Sequence, residues 1–262
     1  MFEGKLATLG GLVAAAVLGV SLPACAEPLF RNLTPYGESR SASNPPVARY
    51  VATLNGRSFI FDRAVAAPEA LLKFDDDSEV WVLEPSPAPG GGKIYRNDVG
   101  DRVLRESSLG GLTLFTSREP DGLAVSILGD ADEILPLPIM PPDAVLLREV
   151  QAALRAGRAV QAAIGPARAA QHQINFSASQ VRPQWTPIFV ESFGIAADAI
   201  VKLSRDKKAR GFLAKLDSVQ FMAGTKPDVS ISGSVMTITI SPGKGFAGRP
   251  SSDRIMKVCL KH

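Results

Sequence analysis

The residues best suited to chemistry gather in positions 241–252, "SPGKGFAGRPSS", where Gly243, Gly245 and Gly248 spell G-x-G-x-x-G after an alternating apolar run. A dinucleotide loop must open a strand–helix–strand unit of about 30 residues, with an acidic residue about 20 positions on. Only fourteen residues follow Gly248, too few for a helix and a second strand. That fingerprint fails. A weaker chemistry survives, because Lys244, Arg249, Ser251 and Ser252 lie where the last helix is predicted to begin. Free N–H groups and the positive end of a helix dipole suit an anion. Four contacts of about 0.3–1 kcal/mol each reach only about millimolar affinity for free phosphate. They suit one group of a larger ligand, such as a phospholipid headgroup or an anionic glycan. The plainer reading is a glycine-rich loop capped by serine, with Arg249 in solvent.

Nucleophilic catalysis has little to work with. S-x-x-K occurs at Ser204 and Lys207 on a charged stretch, and at Ser241 and Lys244 around a Pro-Gly pair that no helix tolerates. Of the two histidines, His262 is the last residue, so a histidine-based hydrolase would need His172 with Ser177 or Ser179. Cys259, between Val258 and Leu260, reads as a buried small hydrophobe. Asp75, Asp76, Asp77 and Glu79 form an acidic turn without calcium-loop spacing. No metal and no cofactor are called for. Trp81 and Trp185 read as core or interface anchors. Carboxylates such as Asp98 and Asp101 keep a rival class open, a hydrolase of cell-wall or lipid substrate, if two of them share a cleft at glycosidase separation.

The N-terminus speaks about location. Lys5 precedes an uncharged run over 6–22, followed by Pro23 and Ala24-Cys25-Ala26. A basic start, an apolar centre and an A-x-A end describe a secretory signal over 1–26, and hence a periplasmic chain beginning at Glu27. A lipid anchor at Cys25 is the minor alternative. After cleavage no stable transmembrane segment is expected, and one thiol, Cys259, remains, so the fold must stand without an internal disulfide. The net charge of +3 is too mild to argue for nucleic acid.

The elements that would position these residues follow from periodicity. Residues 27–48 are polar and without period, a flexible lead. A β-rich part spans 49–133, with strands over 58–63, 70–74, 79–84, 93–96, 102–106, 112–117 and 123–128, as in a small antiparallel sheet or barrel. The clearest hairpin turns at Asn97, Asp98 and Gly100. Four prolines in ten residues make 134–142 a linker. An α+β part covers 143–262. Asp143 is expected to cap a helix whose Leu146, Leu147, Val150 and Leu154 face the core, ending at Gly165. Ser192 is expected to cap a second, with Ile195, Ala199, Ile200 and Leu203 inward. Further turns over 207–216, antiparallel strands and a last helix over 252–260 complete the prediction.

The block "EVWVLEPSPAPGGGKIYRNDVGDRVLRESSLGGLTLFT" (79–116) and the later "GKGFAGRPSS" resemble a family of exported alphaproteobacterial proteins that carry a domain of unknown function. The resemblance implies a two-part envelope protein and brings no activity, cofactor or catalytic residue. The expectation is therefore an exported α+β protein that binds or scaffolds rather than catalyses.

Overall fold

In the computed structural model, residues 44–165 and 172–262 are described. The expected signal over 1–26, Cys25, and the lead up to residue 43 lie outside the described residues. Eight strands, β1 (Val47–Ala52), β2 (Ser58–Asp62), β3 (Ala70–Phe74), β4 (Val80–Pro87), β5 (Lys93–Arg96), β6 (Arg102–Glu106), β7 (Leu112–Thr116) and β8 (Glu119–Asp130), pair antiparallel in sequence order. β8 closes on β1, so the sheet is an up-and-down barrel. Alternation sets the faces: Ala48, Tyr50 and Ala52 are buried while Val47, Arg49 and Val51 between them are not. Phe61 meets Tyr95 edge-on at 5.0 Å, and Leu72, Leu104 and Leu114 are fully buried, so side chains fill the barrel.

All seven sequence-derived strands of the barrel are present. The eighth, β1, begins at Val47, inside the stretch read as lead, because Pro45 and Pro46 hide the alternation that starts just after them. At the predicted hairpin Gly100 takes φ +88°, and the Asn97 side chain accepts from the backbone N–H of Asp101 at 2.8 Å.

The linker is tied down at both ends. Asp62, wholly buried, accepts from the backbone N–H groups of Ala64 and Ile134, and Thr186 accepts from that of Met140. Beyond it, α1 (Pro142–Ile164) and α2 (Thr186–Ser204) cover one face of a four-stranded sheet. Its strands are β9 (Asn175–Ala178), β10 (Ser218–Ala223), β11 (Asp228–Ser232) and β12 (Val235–Ile240), in the order β11-β12-β10-β9. The second part is therefore α+β as expected. Its pairing is mixed rather than antiparallel throughout: β9, β10 and β12 run parallel, because α2 and the turns after it carry the chain back between β9 and β10. Phe193 of α2 meets Phe221 of β10 edge-on at 4.7 Å in this core. The last helix, α3 (Ser252–Cys259), starts where predicted, with Ser251 at its N-cap.

Three helix expectations need correction. Leu146, Leu147, Val150 and Leu154 do not face the core; they are 58, 57, 46 and 54% exposed. The buried face of α1 is Val145, Ala152, Ala156 and Val160. Small residues let α1 lie close against α2, and size-weighted periodicity points to the wrong side of such a helix. Asp143 sits in the first turn, while Pro141 holds the cap position and Pro142 begins the helix. Ser192 caps nothing: it lies inside α2, buried, and donates to the Ile188 carbonyl at 2.7 Å. Thr186 and Pro187 begin that helix instead. In consequence Leu147→Ser should change stability by no more than about 0.5 kcal/mol. Ala156→Leu should cost about 1–3 kcal/mol by overpacking. Urea denaturation of both variants checks the assignment.

Candidate functional site: a polar seam between barrel and helices

The last helix begins against two hairpin tips of the barrel. Asp98, from the β5–β6 turn, accepts from the Ser251 backbone N–H at 2.9 Å and from the Ser251 hydroxyl. Glu79, at the start of β4, accepts from the Ser252 backbone N–H at 2.9 Å and from the Ser252 hydroxyl. The helix N-terminus thus holds anions, as its N–H groups and dipole favour, and both belong to the same chain. Ser251 also caps the helix conventionally, its Oγ accepting from the Arg254 N–H at 3.1 Å. Ser251→Ala should cost about 1 kcal/mol in chemical denaturation through the lost cap.

A second layer comes from α2. Glu191, Asp198 and Lys202 fall at spacings of seven and four, on one helical face. Lys202 donates from Nζ to Ser252 Oγ at 3.0 Å and lies 3.6 Å from Asp77 and 3.8 Å from Glu79. Asp198 accepts from the Ser78 hydroxyl and pairs with Arg155. Arg249, 6% exposed, donates from Nε to Glu191 at 2.8 Å and from Nη2 to the Val80 carbonyl at 3.0 Å. Asn97 reaches Asp253, and Lys257 reaches the Val99 carbonyl. Beside these polar contacts Leu71 and Val80, on the outside of the barrel wall, pack with Ile134 of the linker and Phe246 of the glycine loop.

Burial governs the charges here. Glu79 is 1% exposed, and desolvation pushes its carboxyl above the ordinary range even though the Ser252 bonds, Lys202 and Arg249 pull it down. Asp253 is raised chiefly by burial, against Lys202, with Asp101, Asp98 and Asp77 adding to the rise. Burial also pushes the Cys259 thiol up to about 12, and its sulfur lies 3.8 Å from that of Met236.

Of the residues singled out by sequence, Arg249, Ser251 and Ser252 converge on the seam, and their partners are the chain's own carboxylates. Lys244 stands apart, exposed on the loop. That loop folds as turns over Pro242–Gly248 with Gly245 at φ +52°, and a Cβ on Gly248 would lie 2.1 Å from the Ser241 carbonyl oxygen. Its glycines serve a tight return, and among the described residues the helix α3 rather than a strand follows it. Asp75 bonds Arg49 and Ser58, and Asp76 is held by Arg57. Ser204 donates to Val201 O, and Ser241 to Thr225 O. Among the described residues His172 Nε2 has no hydrogen-bond partner, so neither Ser177 nor Ser179 is paired with it. Trp81 meets Phe74 edge-on at 6.3 Å, and Trp185 lies under the Arg182 guanidinium at 4.5 Å. Sequence reasoning missed Glu79, Glu191 and Lys202 as seam residues. The signal was there in α2, whose three charged residues fall on one stripe of a mostly apolar helix.

Fold and seam define an α+β protein in which a filled eight-stranded barrel is bonded through buried charges to a helix-covered mixed sheet. The family described as "Domain of unknown function (DUF4908)" matches residues 29–259, and the chain belongs to it. No curated protein and no solved structure matches. Among the described residues, no helix is long and apolar enough to cross a membrane.

Proposed function

We propose that this is an exported protein of the cell envelope that binds or scaffolds rather than catalyses, with an anionic envelope component as its ligand. The observation that carries the non-catalytic reading is the seam: Asp98, the carboxylate a hydrolase would keep free, instead anchors Ser251. Export to the periplasm rests on the residue pattern over 1–26. The one thiol that cleavage after Ala26 would leave, Cys259, is buried at 1% exposure and suits a chain that folds in an oxidising compartment without cross-links.

The test is incubation with phospholipids and envelope glycans, followed by thermal shift and mass analysis of the recovered ligand. A rise in melting temperature with the ligand recovered intact is expected. Conversion of any ligand, abolished by Asp98→Asn or Asp101→Asn, would instead make the protein a hydrolase. The same mass analysis of the protein is expected to find a periplasmic chain starting at Glu27. A lipid on Cys25 would make it an anchored protein, and an intact chain in the cell interior would contradict export.

A further inference from the structure

The outer side of α1 carries a single stripe with three kinds of residue in order. Asp143, Leu147, Val150, Leu154 and Arg158 follow one another at spacings of four, three, four and four, and all five are exposed. An acid stands at one end, a base at the other, and large apolar side chains lie between. Exposed apolar patches rimmed by polar residues mark interaction surfaces.

The stripe is complementary to itself. Residues 147 and 154, and residues 143 and 158, are centred on the same point between 150 and 151. A two-fold axis through that point sets Leu147 against Leu154 of a second copy and Asp143 against its Arg158. A parallel pairing would instead set acid against acid and base against base. The other charges of α1 keep the balance. Arg155 pairs with Asp198 of its own chain at 3.1 Å, and Arg148 and Glu149 bring one charge of each sign per copy near the axis. Within the described residues, Asp143, Arg148, Glu149 and Arg158 form no ion pair.

Beside the stripe the surface is hollow. A cavity of about 410 Å³ lies between α1 and β9, the edge strand of its sheet. Val150, Ala153, Leu154 and Gly157 line one side, Ile174 and Phe176 the other. Those four helix positions have the spacing of a hole that receives a side chain from a facing helix. Leu147 of the second copy arrives opposite Leu154, at the middle of that hole. Glycine weakens a helix interior, yet beyond its own helix backbone and chain neighbours a Cβ on Gly157 would meet nothing within 4 Å. The missing side chain leaves room that this chain does not fill.

We propose that a second copy of the chain docks here, α1 against α1 antiparallel, with each copy's Leu147 seated in the other's groove. The inference is independent of the ligand reading above. Below its dissociation constant the pair separates, so dilute urea titrations of Leu147 variants still read the single chain.

The test is sedimentation velocity of the purified protein over a roughly hundred-fold range of concentration. A monomer passing to a dimer is expected. Leu147→Glu should weaken the dimer by about ten-fold or more, since it places a charge in an apolar hole. Asp143→Arg and Arg158→Asp each set like charges together at both ends and should each weaken it by about ten-fold. Mixed in equal amounts, these two variants should recover the native affinity as a heterodimer, because every end then meets its opposite. All three substitutions lie at exposed side chains, so the fold is retained. The proposal is overturned if the protein stays monomeric throughout, if Leu147→Glu dimerises as tightly as the native chain, or if the mixture pairs no better than its components. Binding of phospholipid vesicles through Leu147 by a chain that stays monomeric would also overturn it, making the stripe a membrane-facing surface.

Discussion

Arg249→Ala is expected to destabilise the protein by about 3–5 kcal/mol, the usual cost of removing one partner of a buried ion pair. The Arg249 side chain is 3% exposed and that of Glu191 16%, so the carboxylate left behind has little water to turn to. The Val80 carbonyl loses its donor as well. Much of that cost is the penalty on the orphan rather than the worth of the pair. Arg249→Met combined with Glu191→Leu should therefore recover most of the loss, since apolar replacement of a whole buried pair is often near neutral. Urea denaturation of the two singles and the double gives the coupling. A double variant as unstable as the sum of the singles would show that the pair is not the unit acting here.

Glu79→Ala should cost about 3 kcal/mol, because it strips the acceptor from two buried donors, the N–H and hydroxyl of Ser252, at about 1–3 kcal/mol each. Glu79→Gln keeps an acceptor and should cost much less. The pair also separates capping from charge. Burial raises the Glu79 carboxyl above its ordinary value of 4.5, so the folded chain holds that proton more tightly than the unfolded chain does. The stability this contributes is complete below about pH 4.5 and is lost as pH rises through the raised value. The stability of the native protein relative to Glu79→Gln should therefore fall as pH rises above about 4.5. A gap that widens over that rise would mean that Lys202 and Arg249 outweigh desolvation.

Most of the barrel was legible because period-two alternation and turn residues are local signals, and each strand carries its own. The α1 face was not, because Ala152 and Ala156 pack closely without the bulk that marks a core stripe, while Leu146 and Leu147 carry that bulk into solvent. The parallel pairing of β9 with β10 was hidden because nothing within either strand records its neighbour's direction. The seam was half legible. Ser251 and Ser252 at a helix start announced an anion, but nothing local in the sequence identified which anion. Glu79 lies 173 positions from Ser252, and only the folded chain brings them together.

The chain has two tryptophans, Trp81 in the barrel and Trp185 at the start of α2, so each part carries its own fluorescent reporter. Urea unfolding of Trp81→Phe and Trp185→Phe variants therefore follows the two parts separately. If the buried charges weld barrel and helices into one cooperative unit, both reporters should give one midpoint, and adding Arg249→Ala should lower both together. Two well-separated midpoints with Arg249 and Glu79 in place would mean that the parts unfold independently and that the seam does not couple them.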